Sequence, residues 1–594
     1  MNVALQTDVP KGGSFLVAET EPETVFTPEE LTEEHRMIAK MTADFVQKDV
    51  RPVLDKIEAH EFSHSVRLLK KAGELGLLSA DIAETYGGVG LDNISSTLIT
   101  EHMARSRSFA LSHGAHVGIG TLPIVFFGNE EQKQRYLPKL ASGEWFAAYA
   151  LTEPGSGSDA LGAKTTAVLS DDGQHYVLNG QKQWITNSAF ADVFIVYAQV
   201  DGDQFTAFIV EREFPGVSTG PEEQKMGIKG SSTRTLNLED VQVPVANVLG
   251  EVGRGHVIAF NILNVGRFKL AAGTVGSCKA ILEISVKYAN ERQQFNTPIA
   301  QFRLIQQKLA DMAIKTYAAE SMVYRTAGLF EGSLSQIAEG DGKAIAKAIG
   351  DYAIECSINK VFGSEALDYV VDEGVQIHGG YGYMQEYEVE NAYRDSRINR
   401  IFEGTNEINR LLIPGTLMRK TMKGELPLME QAQSLQEEVI AFMPPLFDDP
   451  APLEVEAHLT EMTRKVILMT AGLSLDKYAE KLEHEQEIVS DLADLVIALY
   501  AMESCYLRAQ KAIRSLDEEK ASVHIDYAQA FIYDTFEDVE RIGRRILATL
   551  EEGDMLRTQL AVLKKLTRYT PINQVMLKRR IAAAMIEREQ YVVA

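Results

Sequence analysis

The chain has 594 residues, 45% hydrophobic and 24% charged, so it can form several hydrophobic cores and does not have the composition of a disordered protein. At about 150 residues per domain, this length predicts about four structural units. Its 59 basic and 84 acidic side chains give a net charge of -25, which disfavours binding to the phosphates of nucleic acids.

The cysteines and the N-terminal residues bear on the cellular compartment. Cys278, Cys356 and Cys505 are too far apart for a CxxC motif, so they predict neither a disulfide framework nor a metal site. Residues 1–30 lack the apolar core of a signal peptide, and no uninterrupted apolar run predicts a membrane span. We expect a soluble protein of a reducing compartment, the bacterial cytoplasm rather than the mitochondrial matrix, because no transit peptide is visible.

The first structural unit is predicted to be helical and to span residues 27–146, after an N-terminal tail of residues 1–26. Thr27 is placed to cap a helix, Pro28 has the φ of a first helical turn, and Glu30 can complete a capping box. Apolar side chains then recur every three or four residues, which is typical of helices that pack on one face.

A small antiparallel β domain is predicted over residues 147–254. β-branched and aromatic runs indicate its strands, and Pro244 ends the last of them. The strand runs are residues 165–169, 192–197, 205–210 and 235–243. The turns expected between strands are Asp172-Gly173, Asn179-Gly180 and Asp201-Gly202.

Helical periodicity returns at Gly255 and predicts a bundle over residues 255–415 and an additional helical domain over 416–594. Because helices and strands are segregated along the chain, and no GxGxxG or GxxxxGK[ST] loop is present, we predict an α+β class that is mostly α. Breaks are expected near residues 296–298, 331–332, 379–380 and 413–415. Basic clusters at 564–565 and 578–580 favour a solvated helix face, with peripheral contact to anionic lipid as the alternative.

Two clusters of polar residues and glycines lie near the predicted strands. Residues 149–159, YALTEPGSGSD, could form a loop whose amides and hydroxyls hold an anionic or carbonyl-rich ligand, although a simple linker is an equal alternative. Trp184, in Trp-Ile-Thr-Asn at a strand end, suits the edge of a planar ring system. A buried core tryptophan is nevertheless the commoner role.

A third cluster contains the candidate catalytic carboxylate. The sequence QIHGGYG at 376–382 is followed by FEGTNE at 402–407, in which Glu403 lies between Phe402 and Gly404. A carboxylate in apolar surroundings is desolvated, which raises its pKa toward that of a useful general base. Taken alone the motif is weak, because a helix that begins after Gly404 explains it equally well.

In this order, and with ERQQF at 291–295, the clusters resemble those of the acyl-CoA dehydrogenase flavoprotein family over about residues 30–415. The resemblance implies FAD between the β domain and the bundle, and no bound metal. The additional helical domain resembles the extension of the very-long-chain branch, whose members are dimers. The residues that the resemblance places at the cofactor are Tyr149, Leu151, Thr152, Ser158, Trp184, Thr186, Arg292, Gln294, Phe295, Gln376, Gly379, Gly380, Thr405 and Glu407.

The resemblance also implies how the cofactor is shared. Arg292, Gln294 and Phe295, together with Gln376 to Gly380 of the neighbouring subunit, would hold the adenine and pyrophosphate end, so the protein should be a homodimer at least. Asn296 and Arg303 stand where many relatives have Gly and Gln, so the contacts of this region with the FAD phosphates are left open.

Glu403 matches the catalytic base of the family, and the chemistry follows from that match. It would remove the α-proton of a fatty acyl-CoA while the β-hydride passes to flavin N5 near Thr186, giving a trans-2-enoyl-CoA in β-oxidation. The thioester carbonyl would be hydrogen-bonded by the amide N–H of the glutamate and by a ribityl hydroxyl, and the electrons would pass to an electron-transfer flavoprotein. The residues placed at the substrate are Ser158, Asn264, Arg267, Phe402 and Gly404, with Arg267 as a polar anchor for the CoA portion.

The sequence leaves alternatives open for the length of the acyl chain and for the type of reaction. Small residues at 110–120 would leave room for a long acyl chain, although close helix packing through glycines explains them as well. An acyl-CoA oxidase and a non-catalytic assembly scaffold of the same family are the alternative functions. A DNA-binding flavoprotein is disfavoured by the net charge of -25.

Overall fold

A computed structural model describes residues 9–338 and 341–593 of the chain. The first eight residues of the predicted tail, residues 339–340 of the predicted bundle and Ala594 of the predicted additional domain lie outside the described residues. The described chain is mostly α-helical around one β domain, which confirms the predicted α+β class.

The N-terminal domain is helical, as expected, but its first helix begins later than predicted. The capping box at Thr27 is present, with its N–H donating to Glu30 at 2.9 Å, yet it opens only a 3-10 turn, Pro28–Glu30. The first α-helix begins at Glu33, where the Thr32 hydroxyl accepts the N–H of His35. The helices of this domain are α1 (Glu33–Phe45), α2 (Leu54–Glu58), α3 (Phe62–Glu74), α4 (Asn93–Met103), α5 (Ser108–Ala115), α6 (Leu122–Phe127) and α7 (Glu130–Ser142).

The stretch Ser108–Phe127, which spans α5, α6 and a π-helical turn between them, is long and apolar enough to cross a membrane. The sequence prediction concerned uninterrupted apolar runs, and this stretch is interrupted by Ser112, His113 and His116, so that prediction is not contradicted. In the structure, 61% of the apolar window is buried inside the protein. Its length and composition are thus also those of a core helix, and α5 and α6 line the core of the N-terminal domain.

The β domain is a twisted sheet in which most neighbouring strands are antiparallel. In the described chain the strand order is β6-β7-β3-β2-β4-β5-β8, and β1 pairs with β4 in parallel. Because alternate residues of a strand point to opposite faces, Ile195 packs toward the helices while Phe194 lies in a core within the β domain. The strands are β1 (Ala147–Ala150), β2 (Thr166–Leu169), β3 (His175–Thr186), β4 (Val193–Val200), β5 (Gln204–Glu211), β6 (Val217–Thr219), β7 (Thr233–Pro244) and β8 (Val248–Leu249).

Two of the three predicted turns are confirmed and one is wrong. Asp172-Gly173 joins β2 to β3, and Asp201-Gly202 joins β4 to β5. Asn179-Gly180 lies inside β3, at a shift in the register of its pairing with β7. A Cβ at Gly180 would lie 2.4 Å from the Thr165 hydroxyl oxygen. Glycine therefore occupies position 180 because Thr165 approaches the backbone closely within the sheet, and not because the chain turns there.

The bundle contains α8, α9, α11 and α13, with α11 in contact with the other three. The break predicted near 331–332 lies close to the end of α9 at Leu334, whereas the break predicted near 413–415 is wrong, because α13 passes through Pro414. Proline removes one hydrogen bond from a helix, and packing of α13 against α11 and α16 holds the helix together at this point. The elements are α8 (Gly255–Glu291), β9 (Gln293–Gln294), β10 (Thr297–Pro298), α9 (Arg303–Leu334), α10 (Gly342–Asp351), α11 (Ala353–His378), α12 (Glu388–Ser396) and α13 (Asn406–Met422).

The additional helical domain packs on the bundle through α16, which contacts α9 and α13, and through α19, which contacts α9. Two members of its basic cluster are paired: Lys578 lies 2.7 Å from Asp534 and 3.0 Å from Asp311, and Arg580 pairs with Asp526. These partners favour the structural role over a lipid-binding one. The helices are α14 (Leu428–Ala441), α15 (Glu454–Tyr478), α16 (Gln486–Ser515), α17 (Glu518–Leu550), α18 (Gly553–Leu566) and α19 (Gln574–Arg588).

The N-terminal segment 9–30 lies across the junction between the bundle and the additional domain. Gly13 N donates to Glu355 of α11 at 2.7 Å, and Phe15 O accepts from Arg464 of α15 at 3.0 Å. Lys511 of α16 donates to Val25 O at 2.7 Å. The segment therefore joins the two helical domains along its length.

Arg508 of α16 is the centre of a buried ionic cluster at the same junction. Its guanidinium lies 2.6 Å from Glu29 of the N-terminal segment and 2.7 Å from Glu320 of α9. Lys279 of α8 also pairs with Glu320, and the two cations lower the pKa of that carboxyl to about 2 against the desolvation that would raise it. The cluster thus ties together the segment, the bundle and the additional domain.

We expect Arg508→Met to destabilise the protein by about 3 to 5 kcal/mol, because it leaves the buried carboxylate of Glu29 without its cation. The control is Arg541→Met on α17, whose pair with Asp538 is solvent-exposed and contributes about 0 to 1 kcal/mol. Thermal unfolding at neutral pH measures both. Equal melting temperatures for the two variants would contradict a stabilising role of the cluster.

Candidate active site

A cavity of about 1800 Å³ lies between the β domain, the bundle and the N-terminal segment. It is larger than the roughly 300 to 1000 Å³ of a typical small-molecule pocket. Many of the residues expected from the sequence meet here. They are Tyr149, Leu151, Thr152, Ser158, Trp184, Thr186, Asn264, Arg267, Phe402, Glu403, Gly404 and Thr405.

Glu403 and Gly404 form a strained loop between α12 and α13, with φ values of +57° and +80°. A non-glycine residue in the left-handed region costs free energy, so the surrounding contacts must impose this conformation. The Glu403 carbonyl oxygen accepts a hydrogen bond from Arg267 Nε at 3.1 Å, and the Gly404 carbonyl oxygen accepts from Lys360 Nζ at 2.8 Å. Asn409 Nδ2 donates to the same Gly404 oxygen at 2.9 Å.

The Glu403 carboxylate points into the cavity and lies against Gly266 of α8. A Cβ at position 266 would come within 2.7 Å of Oε2, so any larger residue there would displace the carboxylate. Oε2 is buried and has no hydrogen-bond partner among the described residues. Burial raises the pKa of Glu403 to about 7, although Arg267 and Lys360 act to lower it. Such a carboxyl exchanges protons near neutral pH, as a general base must.

The loop at 151–163 is fixed by a buried ion pair, which does not fit the linker alternative. Lys182 Nζ of β3 lies 2.8 Å from the Glu153 carboxylate, which also accepts the N–H of Thr165 at 3.0 Å. A Cβ at Gly155 or Gly157 would meet nothing within 4 Å. The loop thus presents open backbone beside the cavity, and Ser158 lies on the cavity wall.

Trp184 is 62% exposed and forms part of the cavity wall, so the core-tryptophan alternative is excluded. It has φ +57° at the end of β3, next to a shift in the register of pairing between Lys182 and Ile185. An exposed indole on the wall of a large cavity is suited to stack on or abut a planar ring. Together with the open backbone at Gly157, which also lines the cavity, it fits the flavin that the sequence resemblance implies.

A second cavity, of about 630 Å³, lies at the far ends of α8 and α11. It is lined by Arg292, Gln294, Phe295, Gly379 and Gly380, and Phe295 is 90% exposed. Arg292 is 25 residues from Arg267 along α8, so the two cavities are about 37 Å apart along the helix. Residues of the second cavity therefore cannot contact the part of a ligand that lies beside Glu403 of the same chain. Gln376 and Glu407 are exposed and line neither cavity.

A third cavity, of about 520 Å³, meets the first at Glu403, Phe402 and Thr186. It follows α8, and it is also lined by Gly114 of α5 and by Gly118. A Cβ at either of these glycines would meet nothing within 4 Å, so they leave space rather than pack closely. On α8 the lining residues are spaced by three or four positions, as one helix face requires. They include Gly266, Leu270, Gly273, Ser277, Ala280 and Ile284.

The contacts of Arg267 differ from those expected from the sequence. It was expected to anchor the CoA portion of a substrate, but its guanidinium is buried and donates to the Glu403 carbonyl and, at 2.9 Å, to Asn264. Its geometry is that of a residue that positions the Glu403 loop. Lys360 and Asn409 act on the same loop and were not identified from the sequence. The sequence signal that could have identified Lys360 was a lysine within the apolar run of α11. Burial lowers the pKa of Lys360 to about 8.

Comparison with known proteins agrees with these observations. Four family models match: acyl-CoA dehydrogenase N-terminal domain over residues 32–144, middle domain over 148–241, and C-terminal domain over 253–418 and again over 462–565. A probable acyl-CoA dehydrogenase of Bacillus subtilis (strain 168) is 62% identical over 591 residues, which are 99% of each chain.

Two further relatives are a solved structure complexed with FAD and a mitochondrial protein. A crystal structure of acyl-CoA dehydrogenase complexed with FAD from Bacillus anthracis has a TM-score of 0.97 and 62% identity, covering 98% of this chain and 100% of that chain. The mitochondrial very long-chain specific acyl-CoA dehydrogenase of Homo sapiens is 44% identical over 351 residues, which are 57% of this chain and 51% of that protein.

We expect Glu403→Gln to stabilise the protein at alkaline pH. The carboxyl has a pKa of about 7 in the fold against 4.5 for the ordinary group, so its ionisation progressively costs folding stability between these values. The gain should reach up to about 3 kcal/mol above pH 7 and disappear below about pH 4.5. Thermal unfolding at pH 4.5 and pH 8 tests this. Glu407→Gln is the control, because the pKa of that exposed carboxyl is lowered and its removal should give no gain.

Proposed function

The chain belongs to the acyl-CoA dehydrogenase family and is a FAD-dependent oxidoreductase, and on this premise we propose that it oxidises long-chain fatty acyl-CoA to trans-2-enoyl-CoA. The observation that carries the proposal is the position of Glu403, a carboxylate with a raised pKa at the junction of the cofactor-sized cavity and the cavity along α8. A substrate with its acyl chain along α8 would present its α-carbon at this junction.

Glu403 would act as the base that removes the α-proton. Its buried Oε2 has no partner among the described residues, so it is free to accept the proton. Apolar surroundings make the ionised form a stronger base than an ordinary carboxylate. Arg267, Lys360 and Asn409 would keep the carboxylate in place by fixing the loop through its carbonyl oxygens.

The amide N–H of Glu403 would stabilise the charge that develops on the thioester oxygen. Within the described residues this N–H has no hydrogen-bond acceptor, and the positive φ of Glu403 is maintained by the contacts of the loop. A preorganised donor of this kind lowers the barrier because it needs no rearrangement during reaction. FAD supplies the acceptor for the β-hydride when bound, and Trp184, Thr186 and Ser158 would hold it beside Glu403.

The length of the cavity along α8 supports a long acyl chain. Its lining from Gly266 to Ile284 covers 18 residues, or about 27 Å of helix. A fatty acyl chain in a membrane spans one leaflet, about half of a hydrocarbon core of about 30 Å. The cavity therefore has room for chains of that length.

We also propose a homodimer that passes electrons to an electron-transfer flavoprotein in the bacterial cytoplasm, as part of fatty acid β-oxidation. The separation of the second cavity from Glu403 supports the dimer, since Arg292 and Gly379 would reach only a partner's cofactor. Bacterial relatives support the compartment. Peripheral membrane contact through the additional domain remains a further proposal, for which Lys564 and Lys565 are exposed.

We expect anaerobic addition of palmitoyl-CoA to bleach the flavin absorbance of the wild-type protein and to leave that of Glu403→Gln unchanged. The amide cannot accept the α-proton, while the volume of the side chain and the bound FAD are retained. Absorbance at the flavin maximum, with FAD content determined for both proteins, gives the result. Bleaching of the variant at the wild-type rate would exclude Glu403 as the base. Hydrogen peroxide release in air without an added acceptor would indicate an oxidase instead.

We expect Gly114→Leu to prevent turnover of palmitoyl-CoA while turnover of butyryl-CoA is retained, because the new side chain fills the cavity along α8. A loss of about fivefold to a hundredfold in kcat/KM for the long substrate is expected, since overpacking typically costs about 1 to 3 kcal/mol. The matched control is Gly415→Leu, which adds the same side chain to a helical glycine that lines no described cavity and has open space around it. Equal losses for both chain lengths would contradict the assignment of the cavity.

A further inference from the structure

The third cavity, which follows α8, ends among charged side chains at the end remote from Glu403. Near Glu403 its lining on α8 begins at Gly266, and it continues through Leu270 and Ala280. We call the charged end the distal opening. It is lined by Arg51, Arg105, Glu283, Lys287 and Glu388.

The side chains of the distal opening are in contact with water. Those of Arg105 and Lys287 are 40% and 48% exposed, and that of Glu283, which lies between them, is 29% exposed. A pocket that encloses the methyl end of a hydrocarbon chain would instead end in buried apolar side chains. The cavity therefore reaches the protein surface at this end.

Positive charge is in excess at the distal opening. Arg105 and Lys287 share one carboxylate: Arg105 Nη1 lies 2.9 Å from one oxygen of Glu283, and Lys287 Nζ lies 2.8 Å from the other. Arg51 pairs with Glu388, so three cations face two carboxylates. In the part of the chain that the structure describes, Nε and Nη2 of Arg105 have no acceptor. Most of this guanidinium is therefore free to bind an anion.

The cations that line the cavity nearer to Glu403 have their own partners. Lys269 lies 2.5 Å from Asp81. Arg107 donates to Asn391 at 2.5 Å, and its charge is offset by that of Asp395. The excess of positive charge is thus confined to the distal opening.

The distance from Glu403 to the distal opening sets the length of chain that can span it. From Gly266 to Glu283 the cavity follows α8 for 17 residues, or about 26 Å. Carbon–carbon bonds of about 1.52 Å at angles of about 111° advance an extended chain by about 1.25 Å per carbon. About 20 carbons beyond the α-carbon therefore reach from Glu403 to Glu283, which corresponds to an acyl chain of about 22 carbons.

A methyl group at the end of such a chain would gain nothing from the ionic groups, whereas a carboxylate would. The planar guanidinium of arginine binds a carboxylate through two parallel hydrogen bonds, and a neighbouring ammonium adds a third charged contact. A carboxylate that stopped short of the opening would lose its water without gaining these partners.

We propose that the distal opening binds the carboxylate at the ω end of a very long ω-carboxyacyl chain, beside Arg105 and Lys287. The protein would then oxidise the mono-CoA thioesters of long dicarboxylic acids as well as those of ordinary fatty acids. The reaction at the thioester end is unchanged, because the α-carbon still lies beside Glu403. This inference rests on the proposed function, since it takes the third cavity as the acyl site.

The first test varies the length of the substrate. Steady-state kinetics of the FAD-loaded protein compare docosanedioyl-CoA with docosanoyl-CoA, both of 22 carbons, and dodecanedioyl-CoA with dodecanoyl-CoA, both of 12. We expect the ratio of kcat/KM, diacid to monoacid, to be one or more at 22 carbons. At 12 carbons it should be one tenth or less, because the carboxylate lies about 13 Å short of Glu283. Equal ratios at the two lengths would overturn the proposal.

The second test removes or increases the excess charge. The double variant Arg105→Gln and Lys287→Gln should lower the 22-carbon ratio about tenfold and leave the 12-carbon ratio unchanged. Glu283→Gln releases both cations and should raise the 22-carbon ratio instead. Lys343→Gln is the matched control, because Lys343 pairs with Glu251 at the surface and does not line the third cavity. A 22-carbon ratio that is the same in the wild-type protein and all three variants would show that these ion pairs are only structural.

Calorimetric titration with docosanedioyl-CoA separates this proposal from the proposed function. The wild-type protein should bind it about tenfold more tightly than the double variant does. If this difference is found while no acyl-CoA bleaches the flavin, the proposed function fails and the distal site stands. If the wild-type protein oxidises docosanoyl-CoA but binds docosanedioyl-CoA no better than the double variant does, the distal site fails alone.

Discussion

The conformation of the Glu403 backbone is the constraint on which the site depends. A non-glycine residue with φ +57°, followed by Gly404 with φ +80°, is not a conformation that a free loop would keep. It persists because donors from three helices bind the loop: Arg267 from α8, Lys360 from α11 and Asn409 from α13. The packing of the bundle helices therefore determines the position of the Glu403 carboxylate.

The same convergence explains why two cavities meet at Glu403. Gly266 lies on the face of α8 that lines the third cavity. Arg267, the next residue, points to the Glu403 loop and to the first cavity, of about 1800 Å³, called the main cavity below. Absence of a side chain at Gly266 admits the carboxylate, and the buried position of that carboxylate raises its pKa. One turn of α8 thus supplies the space, the support and part of the charge that tune the proposed base.

The sequence predicted the features that depend on local residues and missed those that depend on tertiary contacts. The order of helical and β domains, most strands and the Asp-Gly turns follow from periodicity and turn chemistry. Asn179-Gly180 has the same local signature as those turns but lies within β3, because the neighbouring Thr165 approaches it closely. Pro414 fails as a helix end for a similar reason, since its helix is held by its neighbours. At the site, the motifs indicated Glu403 and the cavity wall, whereas Lys360 and Asn409 act through backbone oxygens and leave no motif.

The additional domain affects the main cavity through the N-terminal segment. Arg464, Lys511 and Arg508 of that domain bind residues 15, 25 and 29 of the segment, and so fix its path over the bundle. The path brings Gly12 to Asp351 and Lys420, which places Lys11 at the end of the main cavity. A segment of this length could not hold that path alone, because its short 3-10 turns contain few hydrogen bonds of their own. Among the described residues, helices α14 to α19 do not line the main cavity, but they order the N-terminal segment, whose Lys11 lies at one end of that cavity.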